Sequence, residues 1–457
     1  MNNKLRNFSI ILLLSSNLLQ ASKTILVPRQ VSTDPTLELS LAYYQEYSRE
    51  KEDDEFSWSV YATPFYQSSS QASKIANYFL PCCGTGCNTC CSTNGSCCSS
   101  CCSSSRTNCC SCNNCLSVRY DGLGNMGAPW LFTLAGVDEH FNSTLCFCPK
   151  YEKAGVLFNL RFNFDNWIKG LWLSAATSPL KATNKLNMCE IRYGSAGSIT
   201  GFTTILDALN SCAPLFYNKV GKWGLDDIQV KLGYSLDQRE RWLAEFYFVG
   251  LIPTSNAQEA CYFFEPQAGD GHHAGVGLGT SGAFHLLENE KSSFDFIFDL
   301  KYLYLLKHCQ RRSFDLCNGD WSRYLLCAFE DAPTVGLPLR QLLIKNCNVT
   351  PGSQISLWGT FHYEYKNWQF ELGSNFWWRQ QEDVKLCNSC LCDVGIYDLA
   401  GALIGNPVSA SDAKIWQTAS GINAAPSDSI FTKINPCNIN VNSAIQPKVY
   451  TFRVLGS

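Results

Sequence analysis

Six stretches of this chain alternate apolar and polar residues for nine or more positions, and nearly all of them fall into hairpin pairs. The clearest is Ile228, Val230, Leu232, Tyr234 and Leu236 interleaved with Gln229, Lys231, Gly233 and Ser235, followed by a charged turn, Asp237 to Arg241, and a return run from Trp242 to Ile252. Successive side chains of a strand point to opposite faces, so this period of two makes one face apolar and the other polar. A wall with lipid on one side and water on the other has that pattern.

Other segments repeat it. Leu37, Leu39, Leu41 and Tyr43 pair across the turn at 49–55 with Trp58 to Tyr66, although Glu, Leu and Ala also allow a helix over 36–47. Thr144 to Cys148 and Val156 to Phe164 read as a hairpin, and Asp165-Asn166 reads as a two-residue turn into Trp167 to Ala176. Val276 to Leu286 pairs with Phe294 to Tyr302, and Ile355 to Tyr365 turns at Lys366-Asn367 into Trp368 to Trp378. Lys448 to Leu455 is a last strand. Residues 180–222 read as loop, with a possible strand at Leu186 to Tyr193 and a helical piece near Ile205 to Leu209. The fold expected is all-β, an antiparallel transmembrane β-barrel of about 12 strands, or 14 with Ser322 to Phe329 and one weaker segment.

Residues 1–21 have the layout of a secretory signal, with Lys4 and Arg6 before the apolar run Phe8 to Leu19 and Ala21 as the last residue before cleavage. Residues 22–457 then form one barrel unit. No later segment reaches the 18 or so apolar residues of a membrane helix, so a membrane protein of this sequence must cross as strands, whose backbone groups pair with one another. The net charge of -3 offers no basic surface for nucleic acid.

The chain carries 26 cysteines, an even number, and 13 of them lie between Cys82 and Cys115. Each half is odd, so full pairing requires at least one bridge between the halves, and Cys387-Asn-Ser-Cys390 with Cys392 in the long polar loop 383–445 is one place for it. The insert 82–115 admits three readings: a disulfide-stapled plug or surface loop, a thiolate metal cluster on Cys87, Cys90, Cys98, Cys101, Cys112 and Cys115, or a Ser/Cys-rich expansion with no fixed pairing. No resident cofactor is expected.

The polar faces of the strands supply the candidate lumen residues Lys231, Glu245, Asp295, Asp299 and Lys301, then His362, Glu364 and Glu371, with Arg379 beyond. Three charges opposite Phe294, Phe296, Phe298, Leu300 and Tyr302 are costly in a sandwich core and suit a polar lumen. Their mixed signs imply little ion selectivity. His285 and His362 are the histidines that a lipase-like serine would need, but no serine is forced beside them, so no enzyme is expected. His272 and His273 read as interfacial polar residues at a strand start.

The hairpins at 228–252 and 276–304, together with Glu265-Pro266-Gln267-Ala268-Gly269-Asp270-Gly271-His272-His273, resemble porin-like outer-membrane β-barrels of Gram-negative, host-associated bacteria. The resemblance implies an outer-membrane location, contact with outer-membrane lipid and the barrel-assembly machinery, and passive passage of small hydrophilic solutes or a structural surface role. The alternative is a secreted, disulfide-rich β-sandwich for binding or adhesion, in which the apolar faces must be buried between sheets about 10 Å apart.

Overall fold

The computed structural model describes residues 23–35, 57–70, 72–79, 116–121, 142–192, 204, 217–238, 242–289, 292–317, 323, 326–329, 332–366, 368–387, 394–397, 431–433 and 439–456. Their architecture is all-β and antiparallel, and it is dominated by one sheet of 12 strands.

In chain order these strands are β1 (Ser57–Ser68), β2 (Lys150–Asn163), β3 (Leu171–Thr177), β4 (Pro179–Lys185), β5 (Lys219–Leu225), β6 (Ile228–Gln238), β7 (Trp242–Ile252), β8 (Gly275–Asn289), β9 (Ser292–Leu305), β10 (Gly352–Tyr365), β11 (Trp368–Arg379) and β12 (Val449–Gly456). Four of them are halves of two bent strands. β3 and β4 both pair with β2, and β6 and β5 pair with them in turn, so each bent strand continues through a break, at Ser178 in one and at Asp226-Asp227 in the other. The Asp226 N–H donates to the Ser178 carbonyl at 2.8 Å and locks the two breaks together.

Counted this way the wall is ten strands across, from β1 at one edge to β12 at the other. Every neighbour is antiparallel, so the two edge strands run in opposite directions. The sheet does not close among the described residues.

The faces of this wall invert the usual order of a folded protein. Aromatic and aliphatic side chains cover its outer face, including Phe248 at 73 % exposure, Trp223 at 70 % and Val454 at 69 %. The inner face is charged and buried, with Asp299 at 1 % and Lys301 at 2 %. Apolar patches beyond a few hundred Å² are rare on soluble monomers, and this one extends over the whole sheet.

A cap closes the end of the wall where β9 and β11 finish and β10 begins. It contains a three-stranded sheet, His308–Ser313, Ile344–Thr350 and Asp383–Leu386, with the short helix Arg340–Leu343 and a 3-10 turn at Val441–Ala444. Here burial is conventional: Phe314, Leu316, Leu339, Leu343, Val349 and Ile445 form an apolar core. The opposite end of the wall carries the short turns between β8 and β9 and between β10 and β11.

Several expectations are corrected. Residues 180–222 are not loop throughout, since β4 and β5 overlap them; β4 carries two lysines, and β5 carries two lysines and two glycines, in place of clean alternation. Asn142–Phe147 pairs with Leu116–Asp121 and Cys189–Arg192 and not with β2. The turn after β2 is longer than two residues, because Phe164 accepts from the Trp167 and Ile168 N–H groups and the strand resumes at Leu171. The loop 383–445 contains short strands at Val394–Tyr397 and Phe431–Lys433, and residues 67–140 contain a helix, Ala72–Phe79. The strand expected at 37–43, the helical piece at 205–209, the signal at 1–21 and the cysteine insert 82–115 lie outside the described residues.

Candidate lumen and its N-terminal strap

Register places the predicted inner residues in rows across the wall. One row runs Ser235, Glu245, Ser281, Asp299, Trp358 and Asn375 over β6 to β11. These groups satisfy one another. Arg161 Nη2 meets Glu245 Oε1 at 2.7 Å, and the hydroxyls of Ser235 and Ser281 donate to the same carboxylate. The Tyr247 hydroxyl donates to Asp299 Oδ2 at 2.6 Å, and Lys301 Nζ donates to Gln229 Oε1 at 2.8 Å. Lys231 Nζ lies 4.9 Å from the centroid of the Tyr247 ring, and the Arg161 guanidinium lies 4.3 Å from that of Trp172. Gly279 leaves room for the Tyr247 ring, since a Cβ there would fall 2.3 Å from a ring carbon.

A second row, nearer the short turns, is His285, Asp295, His362 and Glu371, contiguous over β8 to β11. His285 Nδ1 bonds the Asp295 carboxylate. Between the rows Ala283 and Ile297 form an apolar layer with Leu243 and with Trp358 of the first row. Of the eight predicted lumen residues, Lys231, Glu245, Asp295, Asp299, Lys301 and His362 are buried, and Glu364 and Glu371 are half-buried. All eight lie on the face of the sheet opposite its exposed apolar side chains, and that face is packed.

Two segments that strand periodicity did not reveal help to fill that interior. The first is the strap 23–35, which forms no ladder with the wall and turns near its end, where the Asp34 N–H donates to the Val31 carbonyl at 3.0 Å. Asp226 Oδ2 accepts from the Val31 and Ser32 N–H groups, both at 2.8 Å, and Gln30 Nε2 donates to Asp227 Oδ2 at 2.5 Å. Arg29 spreads its guanidinium over Asn375 Oδ1 at 2.6 Å and Ser356 Oγ at 2.7 Å. Lys153 Nζ donates to the Arg29 carbonyl at 3.1 Å and to that of Ala268 at 3.3 Å.

The second segment is the loop 253–274, which contains the phrase Glu265 to His273. It folds inward: the Asp270 N–H donates to Asp227 Oδ2, and the Asp270 carboxylate takes Gln354 Nε2 at 3.0 Å and Arg379 Nη1 at 3.4 Å. His272 is half-buried, its Nδ1 2.5 Å from the Ser255 carbonyl, and His273 is not a surface residue. His273 is fully buried between the Leu306 carbonyl at 2.8 Å and Gln310 Nε2 at 2.9 Å, and burial pushes its pKa down to about 3. The sequence signals for this site were the acid pair Asp226-Asp227 between two alternating runs and the Gly-Asp-Gly at 269–271.

Arg379 also joins the cap. Glu382 lies between Arg379 Nη2 at 2.7 Å and Arg312 Nη1 at 2.5 Å, and all three side chains are buried. Burial alone would raise the Glu382 pKa, but the two guanidinium groups hold it below the usual carboxylate range.

Among the described residues no three His, Cys, Asp or Glu side chains converge to hold a metal. The six residues of the expected thiolate cluster lie outside the described residues. Cys387, a candidate for the inter-loop bridge, is a free thiol, as is Cys347, whose pKa burial pushes up to about 12. Comparison with known proteins finds no family and no curated relative that matches the chain.

Proposed function

We propose that this chain is an exported outer-membrane β-barrel with a porin-like role, its wall crossing the bilayer and its interior filled at rest by the strap and the inward loop. The observation that carries the reading is the inversion of polarity: the outer face is apolar and exposed, while the inner face is charged, buried and internally paired. Lipid accepts the first face, and a lumen accepts the second.

Closure of the sheet is part of the proposal. The edge strands β1 and β12 run in opposite directions, as neighbours in an even-numbered barrel must. The secreted sandwich is disfavoured, because among the described strands no second sheet covers Phe248, Trp223 or Val454. The packed interior also supports a structural surface role, and conductance separates it from the channel.

Reconstitution into vesicles with brominated acyl chains tests the wall. Trp58, Trp223 and Trp368 are exposed on the outer face, so bromine at mid-chain depth should quench a large share of the tryptophan fluorescence. Failure to enter the vesicles, with emission untouched by bromine, contradicts the proposal.

A further inference from the structure

The strap sits in the lumen by polar contacts, whereas the cap beside it is held by apolar ones. Between Arg29 and Asp34 the attachments are a guanidinium on Asn375 and Ser356, a side-chain amide on Asp227, two backbone N–H groups on Asp226, and Asp34 on Arg453. Only Val31 enters an apolar cluster, with Leu157, Ala176 and Leu180 among its members. Water can replace each of those polar partners at small net cost, because exchanging a protein hydrogen bond for one to water changes little provided that no group is left dry.

Tyr247 with Asp299, Lys301 with Gln229, and Arg161 with Glu245 are pairs within the wall that involve no strap residue.

The two parts of the strap also differ in what holds them. Residues 23–27 are fixed to the cap side: the Thr24 N–H donates to the Ser443 carbonyl, Lys23 Nζ donates to the Asn442 carbonyl, and Val27 exchanges two bonds with the Gln446 side chain. Residues 29–34, beyond Pro28, rest on the wall, Lys153 included, and through Val31 on the apolar cluster that contains Ala268 of the inward loop.

We propose that residues 29–34 are a reversible internal plug, hinged at Pro28, which leaves its seat on Asp226, Asp227, Asn375 and Ser356 to open the lumen to small hydrophilic solutes. The proposal rests on the barrel reading. Its seat is the break in the bent strand β5/β6, which turns two carboxylates inward at the one place where a regular strand would turn only one.

The test uses the full chain in planar bilayers with potassium chloride, comparing wild type with Asp226→Asn/Asp227→Asn and, from the strap side, with Arg29→Ala. Retention of the unboiled, fast-migrating form shows that each variant is folded. Trypsin cleavage after Arg29, in wild type and in Asp226→Asn/Asp227→Asn, reports release of residues 29–34 independently of conductance, and Arg29→Ala is read by conductance. Each variant weakens hydrogen bonds to a charged group, so open time in both, and cleavage rate in Asp226→Asn/Asp227→Asn, are expected to rise by about tenfold or more. Conductance equal in wild type and folded variants, with unchanged cleavage, overturns the plug while leaving the channel intact. Faster cleavage with no conductance in any form overturns the channel reading, and the gate with it.

Discussion

Arg453, on the edge strand β12, holds the carboxylate of Asp34 at 2.8 Å, at the point where the strap ends. The next described segment downstream begins at Ser57, the first residue of β1 and the opposite free edge of the sheet. The chain between them therefore links the contact on one edge strand to the other edge strand, the two edges that would meet in the proposed barrel. Asp34 is buried and Arg453 is partly exposed, so their coupling in a double-mutant cycle should be about 1 kcal/mol, read from urea midpoints of the folded protein in detergent. A coupling indistinguishable from zero would show that the contact does not secure the edge.

Glu382 neutralises two buried guanidinium groups at once. Glu382→Gln leaves Arg312 and Arg379 facing each other without their shared carboxylate, and it should destabilise the cap by about 3–5 kcal/mol, measured by hydrogen exchange of residues 308–313 and 344–350. Exchange in those strands as slow as in the wild type would contradict this account of the network.

His273 is neutral in the folded protein and ionises below its usual pH only after unfolding. Its folded pKa is depressed to about 3, so its contribution is complete above the unfolded value of about 6.5 and is lost as the pH falls from there towards 3. Between pH 6 and 4 the wild type should lose roughly 1.4 kcal/mol per pH unit more than His273→Gln, read from parallel urea titrations. Parallel stability curves for the two proteins would place the buried charge cost elsewhere.

The two faces of one strand should respond in opposite ways to charge. Phe248 points outward from β7, so Phe248→Arg should cost roughly 2–4 kcal/mol of stability in a bilayer and little in water. Lys231 points inward from β6 beside Tyr247, and Lys231→Met should leave membrane insertion unchanged. Equal tolerance of arginine at 248 in lipid and in water would mean that this face does not meet lipid.

The wall was legible in the sequence because strand periodicity is local. Ile228 to Leu236, Phe294 to Tyr302 and Ile355 to Tyr365 each declare two faces within about ten residues, and the inward direction of Lys231, Glu245, Asp295 and Asp299 follows from it. What fills the wall was not legible. Arg29 finds Asn375 across 346 positions of sequence, and Asp226 finds Ser32 across 194, through contacts that leave no period behind. β4 and β5 escaped detection for a related reason: Lys181, Lys222 and Gly224 break the alternation where the bent strands cross the wall.

The most direct test of the membrane barrel is the migration of the reduced full chain, taken from the outer membranes of a Gram-negative host, on a denaturing gel with and without boiling. The account predicts a compact, fast-migrating unboiled band that shifts on heating, because a closed antiparallel wall resists detergent until it is melted. A chain recovered in the soluble fraction, with one mobility before and after boiling, would contradict it.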